Sequence, residues 1–267
     1  MEKSHVFLDI AGLRIDFSTR FPGYIRERCR KYLVHEQPKP ATLESPASTP
    51  APETPVLHLE ASEEDILKAD RDHVGPEEAE LYAMTIPLSE LCPDLDRLMT
   101  HGVAIECDGK AFVFTAGSGV GKSTHAFLWQ QYLGEERVHI INGDKPILWF
   151  RPDGEILACG SPWSGKEHLD ENVQVPLRGI CLLTRLEQAP GFGTAVNAPY
   201  ITRATREEAF DFLMHQVFIP RSARGRIETL HLIENLYEQV PVYHLFITKS
   251  RECAKLSSEC LLKTSSL

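Results

Sequence analysis

The chain has 267 residues, of which 42% are hydrophobic, so it can form one large domain or two smaller ones around a sizeable core. Its formal net charge of -10 argues against a broad surface for nucleic acid or for an anionic membrane. No apolar stretch approaches the roughly 20 residues that cross a bilayer, and residues 1–5 lack the apolar core of a signal peptide. We therefore expect a cytoplasmic protein with no nucleic-acid and no membrane partner.

The cysteines indicate a reducing compartment. None of the seven stands in a Cys-x-x-Cys pair, and several lie in apolar runs such as Ile180-Cys181-Leu182-Leu183. This spacing is typical of buried free thiols rather than of a disulfide framework. We expect reduced, mostly buried side chains and no structural zinc site at Cys29, Cys92, Cys107, Cys159, Cys181, Cys253 and Cys260.

The first hundred residues predict a small α+β region. Alternating apolar residues around Ala11-Gly12 predict a hairpin, and a basic helix is expected over 23–34. Residues 36–55 hold six prolines and few apolar side chains, which predicts a disordered insertion. A strand at 56–60 and helices that begin at Ser62, Pro76 and Asp94 follow. The predicted parts are a hairpin and helix at 1–35, the insertion at 36–55 and a further region at 56–100.

Residues 101–267 predict one α/β nucleotide-binding domain, because apolar strands are mixed with amphipathic helices. Asp108-Gly109 is a strong hairpin signal between the first two strands. The expected strands cover 102–107, 110–115, 138–141, 146–150, 155–159, 179–184 and 243–247. The expected helices are one that ends near Leu133, two at 205–217 and 222–240, and one that starts near Ser250.

The segment after the second of these strands, Ala-Gly-Ser-Gly-Val-Gly-Lys-Ser-Thr, has the composition of a phosphate-binding loop. Its glycines let several backbone N–H groups point at one phosphate, and the following helix adds its positive end. Lys122 supplies charge and Ser123 offers a hydroxyl to Mg²⁺. Ala116 departs from the usual pattern, which begins with glycine. We expect ATP and Mg²⁺ at Ala116, Gly117, Ser118, Gly119, Val120, Gly121, Lys122, Ser123 and Thr124.

Two residues outside the loop are expected to complete a phosphoryl-transfer site. Asp144 ends the strand after the loop helix, where a basic or metal-associated carboxylate is expected, and His101 opens the hairpin that leads into the loop. In a parallel core the ends of adjacent strands lie about 5 Å apart, so both side chains can reach one phosphate. We expect His101, Lys122 and Asp144 to be catalytic, with Ser123 and Asp144 as metal ligands.

The segment Gly160-Ser161-Pro162-Trp163-Ser164-Gly165-Lys166 allows two interpretations. Ser164, Gly165 and Lys166 could form a second anion-binding turn that faces the nucleotide phosphates. The segment could equally be an ordinary loop with a packed Trp163. Arg178 could also face the phosphates, although a surface role is slightly favoured.

These motifs resemble the catalytic domain of bacterial HPr kinase/phosphorylase, whose core is related to the phosphoenolpyruvate carboxykinases. The resemblance covers roughly 101–187. A Firmicute-type branch of HPr-kinase-like proteins is more closely similar, on His101-Gly102, Gly121 to His125, Trp129, Asp144-Lys145-Pro146 and Pro162 to Lys166. The fold class implied is α/β, with a P-loop nucleotide-binding core of the HPr kinase/PEP carboxykinase type and a small N-terminal α+β region.

The resemblance implies an ATP-dependent kinase for a hydroxyl, such as a serine of a small protein or peptide, or for a metabolite. In HPr kinase the motif histidine is catalytic, the loop lysine binds phosphate and the loop serine binds Mg²⁺; these roles fall on His101, Lys122 and Ser123. The family also has two adjacent aspartates, the first a proton acceptor, where this chain has Gly143-Asp144. Either Asp144 has taken over that role, or the chain binds nucleotide and transfers phosphate poorly.

Three functions therefore stay open. The first is phosphotransfer, and the second is a nucleotide-binding accessory or switch protein with little transfer. The third is carboxykinase-type chemistry, which needs a Mn²⁺ site of Lys, His and Asp that the sequence does not reveal. The phosphate acceptor and the oligomeric state are not specified, and a homo-oligomer is allowed.

Overall fold

The computed structural model describes residues 3–34, 56–70 and 74–264. It is a mixed α/β structure that divides into two compact units, Met1–Leu88 and Ser89–Leu267. The predicted insertion at 36–55 lies outside the described residues and stays a prediction. Within the described ranges, no helix has both the length and the apolar composition that crossing a bilayer requires.

The first unit is built on a three-stranded sheet in the order β1-β2-β3. Its strands are β1 (Ser4–Ile10), β2 (Leu13–Thr19) and β3 (Val56–Glu60), and its helices are α1 (Pro22–Arg28), α2 (Glu63–Ala69) and α3 (Pro76–Ala83). The predicted hairpin is confirmed, because β1 and β2 are antiparallel around Ala11 and Gly12. Both turn residues have positive φ, 52° and 71°, as a tight two-residue turn requires. The basic helix is shorter than expected, since a 3-10 turn replaces it over Arg30–Tyr32.

The second unit is built on a nine-stranded sheet. Its order is β4-β8-β9-β10-β6-β5-β7, and β12 pairs with both β10 and β11. The strands are β4 (Arg97–Met99), β5 (Gly102–Cys107), β6 (Lys110–Thr115), β7 (Val138–Asn142), β8 (Ile147–Phe150), β9 (Ile156–Cys159), β10 (Gln174–Arg185), β11 (Tyr200–Arg203) and β12 (Val242–Ile247). The helices are α4 (Thr85–Leu91), which spans the division between the units, α5 (Lys122–Leu133), α6 (Arg206–Met214), α7 (Ala223–Gln239) and α8 (Arg251–Thr264).

The long strand β10 links the parts of this sheet. It runs parallel to β6 and β12 and antiparallel to β9. Its Ile180 and Leu182 lie in the hydrophobic cluster that includes α6 and α7, whereas Cys181 and Leu183 lie in the cluster that includes α5 and α8. Because helices cover both faces, the strand is apolar on both sides, which explains its continuous apolar sequence. Six of the seven cysteines are buried free thiols, and Cys260 is partly buried.

A buried polar cluster joins α5 to α8. His125 Nε2 lies 3.0 Å from Ser257 Oγ, Trp129 Nε1 donates to the same oxygen at 2.8 Å, and Ser257 Oγ donates to the Cys253 carbonyl at 2.9 Å. Ser257 has one proton, so His125 donates from Nε2 and its buried Nδ1 is an acceptor with no partner among the described residues. Burial lowers the pKa of His125 to about 3.

The structure departs from the sequence predictions in four places. The helix expected from Asp94 to Thr100 is wrong: a 3-10 turn covers Pro93–Leu95, its C-cap residue Asp96 has a φ of 58°, and the next residues form β4. The second unit begins earlier than residue 101, because β4 pairs with β8. The strand β11 and the helix α4 were not expected. The sheet is also mixed rather than parallel, since β5 lies antiparallel between β6 and β7.

Candidate nucleotide-binding site

The carboxyl ends of four strands meet at one edge of the second unit's sheet. β10 is parallel to β6 and β12, and β7 runs in the same direction as β6 because both are antiparallel to β5. In such sheets the crevice outside the carboxyl ends is where ligands bind. The glycine-rich loop follows β6 at this edge, and Asp144 follows β7.

The loop between β6 and α5 presents its backbone to solvent. Gly117, Ser118 and Gly119 are exposed, and Gly119 and Gly121 have φ values of 72° and 123°. Side-chain-bearing residues rarely adopt such values, so both glycines are required by the loop's path. Ala116 is fully buried in the core, and it is not among the non-glycine residues with positive φ in the described ranges. The methyl group therefore replaces the usual first glycine without distorting the loop.

Lys122 begins α5 and folds back over the loop. Its Nζ donates to the Ala116 carbonyl at 3.1 Å. Burial lowers the pKa of Lys122, Asp144 opposes that effect and Lys145 adds to it. The ammonium group is thus half-buried, close to the loop backbone and within electrostatic range of Asp144, as a phosphate-binding lysine would be.

His101 and Asp144 lie beside each other at this edge. His101 Nε2 is 3.4 Å from Asp144 Oδ1, and the side chain of Lys145 pairs with the other carboxylate oxygen. The pKa of His101 is lowered, first by burial and then by Lys122 and Lys145, while Asp144 acts in the opposite direction. Near pH 7 the ring is therefore neutral. The antiparallel pairing of β5 with β7 brings the two residues together, not a parallel pair of neighbouring strands as expected.

The backbone on either side of His101 is fixed by the ends of other elements. Its N–H donates to the Gln216 carbonyl at 2.7 Å, and its carbonyl accepts from Thr115 Oγ1 at 2.8 Å. The Gly102 N–H donates to the Asp144 carbonyl at 2.9 Å. The start of β5 is thereby tied both to the end of β6 and to the residue that carries the candidate carboxylate.

Asn142 holds the turn that carries Asp144 and Lys145. The Asn142 side chain is fully buried, and its Oδ1 accepts from the backbone N–H groups of Asp144 at 2.9 Å and Lys145 at 2.6 Å. Its Nδ2 donates to the Ser161 carbonyl at 2.8 Å and lies 3.1 Å from Ser161 Oγ. Ser161 Oγ in turn donates to the Lys145 carbonyl at 2.6 Å. A buried amide whose bonds are satisfied in this way fixes the local backbone in one arrangement.

Gly143 is in close contact with the segment that follows β9. A Cβ atom at this position would lie only 2.7 Å from the Ser164 carbonyl oxygen. The Gly143 N–H also donates to the Leu169 carbonyl at 2.9 Å. Real Cβ atoms essentially never come this close to another atom, so the present path of this segment leaves no room for a side chain at residue 143.

The second anion-binding turn receives mixed support from the geometry. Ser164 is fully buried and its hydroxyl donates to Asp170 Oδ1 at 2.5 Å, so this hydroxyl serves the fold rather than an anion. Gly165 lies against the candidate carboxylate, since a Cβ placed on it would be 3.3 Å from Asp144 Cβ. Lys166 is exposed next to it. A role for Gly165 and Lys166 in anion binding stays a prediction.

A magnesium ion would find few carboxylates in this site. Within the described ranges, no group of three or more His, Cys, Asp or Glu side chains is arranged to hold a metal. Mg²⁺ in nucleotide sites takes most of its ligands from phosphates and water, with one or two protein oxygens. The Ser123 hydroxyl at the start of α5 and the Asp144 carboxylate, about one-fifth exposed, fit that limited demand.

Sequence analysis missed Asn142 and Arg185, and it left Arg178 open. Arg185 is the last residue of β10, and its Nη2 donates to the Gly119 carbonyl of the loop at 2.8 Å. Arg185 could have been found from its position at the carboxyl end of a buried apolar strand, where the sheet edge that binds ligands lies. Arg178 lies near the middle of β10 and pairs with Glu155 at 2.9 Å, which agrees with the surface role.

Comparisons with known proteins give little beyond these observations. No protein-family model matches the chain, and no curated protein matches it. Among solved structures, the chain is similar to the Hpr(Ser) kinase/phosphatase from Coxiella burnetii, with 12% identity over 63% of this chain and 93% of that one, and a TM-score of 0.37. Such a similarity is one of fold alone and carries no argument about chemistry.

Proposed function

We propose that the chain is an ATP-dependent phosphotransferase that acts on a hydroxyl group, in a serine of a small protein or peptide or in a metabolite. The observation that supports this most is the convergence of three features at one sheet edge. They are the glycine-rich loop, the ammonium group of Lys122 and the His101–Asp144 pair 3.4 Å apart. A phosphate cradle next to a proton acceptor is what phosphoryl transfer requires.

In the proposed reaction, the acceptor oxygen forms a bond to the terminal phosphorus of ATP as the bond from that phosphorus to the bridging oxygen breaks. The products are a phosphate ester and ADP. The hydroxyl proton passes to the His101–Asp144 pair, in which the neutral imidazole can accept it and the carboxylate can stabilise the imidazolium. Lys122 and the loop N–H groups hold the phosphate oxygens. Mg²⁺, held by Ser123 and Asp144, would offset phosphate charge.

A second function is favoured by one observation, the packing at Gly143. That packing excludes a second carboxylate, and Lys145 pairs with the one that remains. A nucleotide-binding accessory or switch protein with weak or no transfer would fit such a site.

Measurements of ATP binding and of phosphate transfer on the same variants distinguish the two functions. With γ-labelled ATP and a cell extract as acceptor, His101→Ala and Asp144→Asn should slow transfer by about 100-fold or more, the usual scale for a lost acid–base group. Calorimetry should show their ATP affinity within about 3-fold of the unchanged protein, because the groups act mainly in the transition state. Lys122→Ala should instead weaken ATP binding by about 10-fold or more.

His139→Ala is the matched control, since His139 is exposed near the start of β7, away from the loop. Transfer at the unchanged rate in both site variants would remove His101 and Asp144 from the chemistry. ATP binding without any label transfer from the unchanged protein would favour the switch function.

A further inference from the structure

We infer that Arg185 is a phosphate-binding residue that takes the outermost phosphate of a nucleotide and makes the site prefer a triphosphate to a diphosphate. This inference rests on the proposed nucleotide site. Three observations support it: the position of Arg185 at the end of β10, the single carbonyl that its guanidinium contacts, and the groups of the loop that are available to the other phosphates.

The register of the sheet places Arg185 beside the loop. Leu182 of β10 pairs with Thr115, the last residue of β6, so β10 continues for three residues after β6 has ended. At about 3.3 Å per residue this carries the end of β10 roughly 10 Å further, alongside the loop. Arg185 Nη2 lies 2.8 Å from the carbonyl oxygen of Gly119 in the exposed part of the loop.

A single backbone carbonyl is a modest partner for a guanidinium, which has five donors in a planar fork suited to an anion. Two other exposed arginines of the second unit pair with carboxylates, Arg137 with Asp108 and Arg206 with Glu234. Across the described ranges, by contrast, no carboxylate oxygen lies within 4.0 Å of Arg185. The guanidinium charge of Arg185 therefore lies next to the loop and is not neutralised by a carboxylate of the described residues, so that an anion can bind it.

Lys122 and Arg185 contact the loop at two different residues. Lys122 contacts the carbonyl of Ala116 at the start of the loop, and Arg185 contacts that of Gly119 at its exposed part. Backbone N–H groups of such loops serve the inner phosphates. The loop lysine reaches the outer phosphates, and a second cation at the sheet edge would add charge at the outermost one. When a phosphate binds, Arg185 can donate to phosphate oxygens instead of to the Gly119 carbonyl. Hydrogen bonds between a guanidinium and a phosphate are stronger than the present bond to a neutral carbonyl.

The test is calorimetric titration of the full chain with ATP and, separately, with ADP, each with Mg²⁺. Arg185→Ala should weaken ATP binding by about 10-fold or more, the value of a lost charge-assisted contact, and ADP binding by less than about 3-fold. Arg185→Lys should give an intermediate loss for ATP, since it keeps the charge without the fork. The side chain is exposed, so the variants should keep the melting temperature of the unliganded protein.

Arg251→Ala is the matched control, because Arg251 is also exposed and also donates to one carbonyl, that of Gln131 near the far end of α5. Its ATP and ADP affinities should be unchanged. Equal losses for ATP and ADP in Arg185→Ala would mean that Arg185 only shapes the loop, and no loss for either would remove it from the site; both results overturn the inference. An unchanged protein that binds neither nucleotide would instead overturn the proposed function.

Discussion

Gly143 shows how one residue without a side chain defines this site. No side chain fits at this position, because a Cβ atom built on Gly143 would lie 2.7 Å from the Ser164 carbonyl oxygen. The places of the loop glycines, Lys122 and Asp144 in the fold could be predicted from the sequence, because each lies directly after a strand or at the start of a helix. The burial of Ser164 could not, because its bond to Asp170 depends on the folded path of the intervening segment.

Replacement of this glycine should destabilise the protein rather than restore a second carboxylate. We expect Gly143→Asp to lower the free energy of unfolding by about 1–3 kcal/mol, the usual cost of overpacking, and to leave label transfer no faster. Urea unfolding measures the first effect. Gly23→Asp is the control, because a Cβ atom placed on Gly23 would have no neighbour within 4 Å and this glycine lacks a positive φ. Faster transfer in Gly143→Asp would show that the segment around Ser164 yields easily.

At the scale of elements, most strands of the second unit have nearly the predicted bounds, whereas β4 and β11 were not predicted. β5 and β6 have the predicted bounds, and α5 ends at Leu133 as expected. β4 and β11 have three and four residues, too few for a period to appear, and each exists through pairing with a strand distant in the chain. The role of His125 and Trp129 was likewise not evident, since their common partner Ser257 lies on the last described helix.

The His125 cluster between α5 and α8 should make stability depend on pH. The folded pKa is about 3, and the unfolded value is about 6.5. Above pH 6.5 neither state binds the proton, whereas below it only the unfolded state does, so stability falls as pH drops from about 6.5 towards 3. Between pH 7 and pH 5 this one residue should cost on the order of 2 kcal/mol.

Urea unfolding at both pH values provides the measurement. His125→Gln removes the titrating group and should show a correspondingly smaller pH dependence. His139→Gln, which changes an exposed histidine, should keep the dependence of the unchanged protein. The same dependence in all three proteins would show that His125 does not titrate in this range.

At the scale of the whole molecule, every residue of the candidate site belongs to the second unit, Ser89–Leu267. The sequence predicted a nucleotide-binding domain there, and the α/β class is what the structure shows. What it could not predict is the strand order, because β10 finds β6 and β12 across long stretches of chain. Sequence periodicity reports which face of a strand is buried, not which strand lies next to it.

Deletion of residues 36–55 should therefore leave nucleotide binding unchanged. The deleted stretch is rich in proline and poor in apolar side chains, and it precedes the second unit in the sequence. We expect the ATP-induced rise in melting temperature to be the same with and without it, as thermal denaturation at several ATP concentrations would show. A smaller rise after the deletion would indicate that this stretch contributes to the site.

The overhang of β10 also has a consequence for biosynthesis. The glycine-rich loop leaves the ribosome well before Arg185, before Ile247, which packs near Gly121, and before Ser257, which anchors α5. Each of these supports comes from a later part of the chain, and pairings between distant segments form slowly. A nascent chain halted ahead of β12 would contain the complete loop motif and Arg185, but neither Ile247 nor Ser257. The glycine-rich loop thus gains all of these contacts only as translation of the second unit is completed.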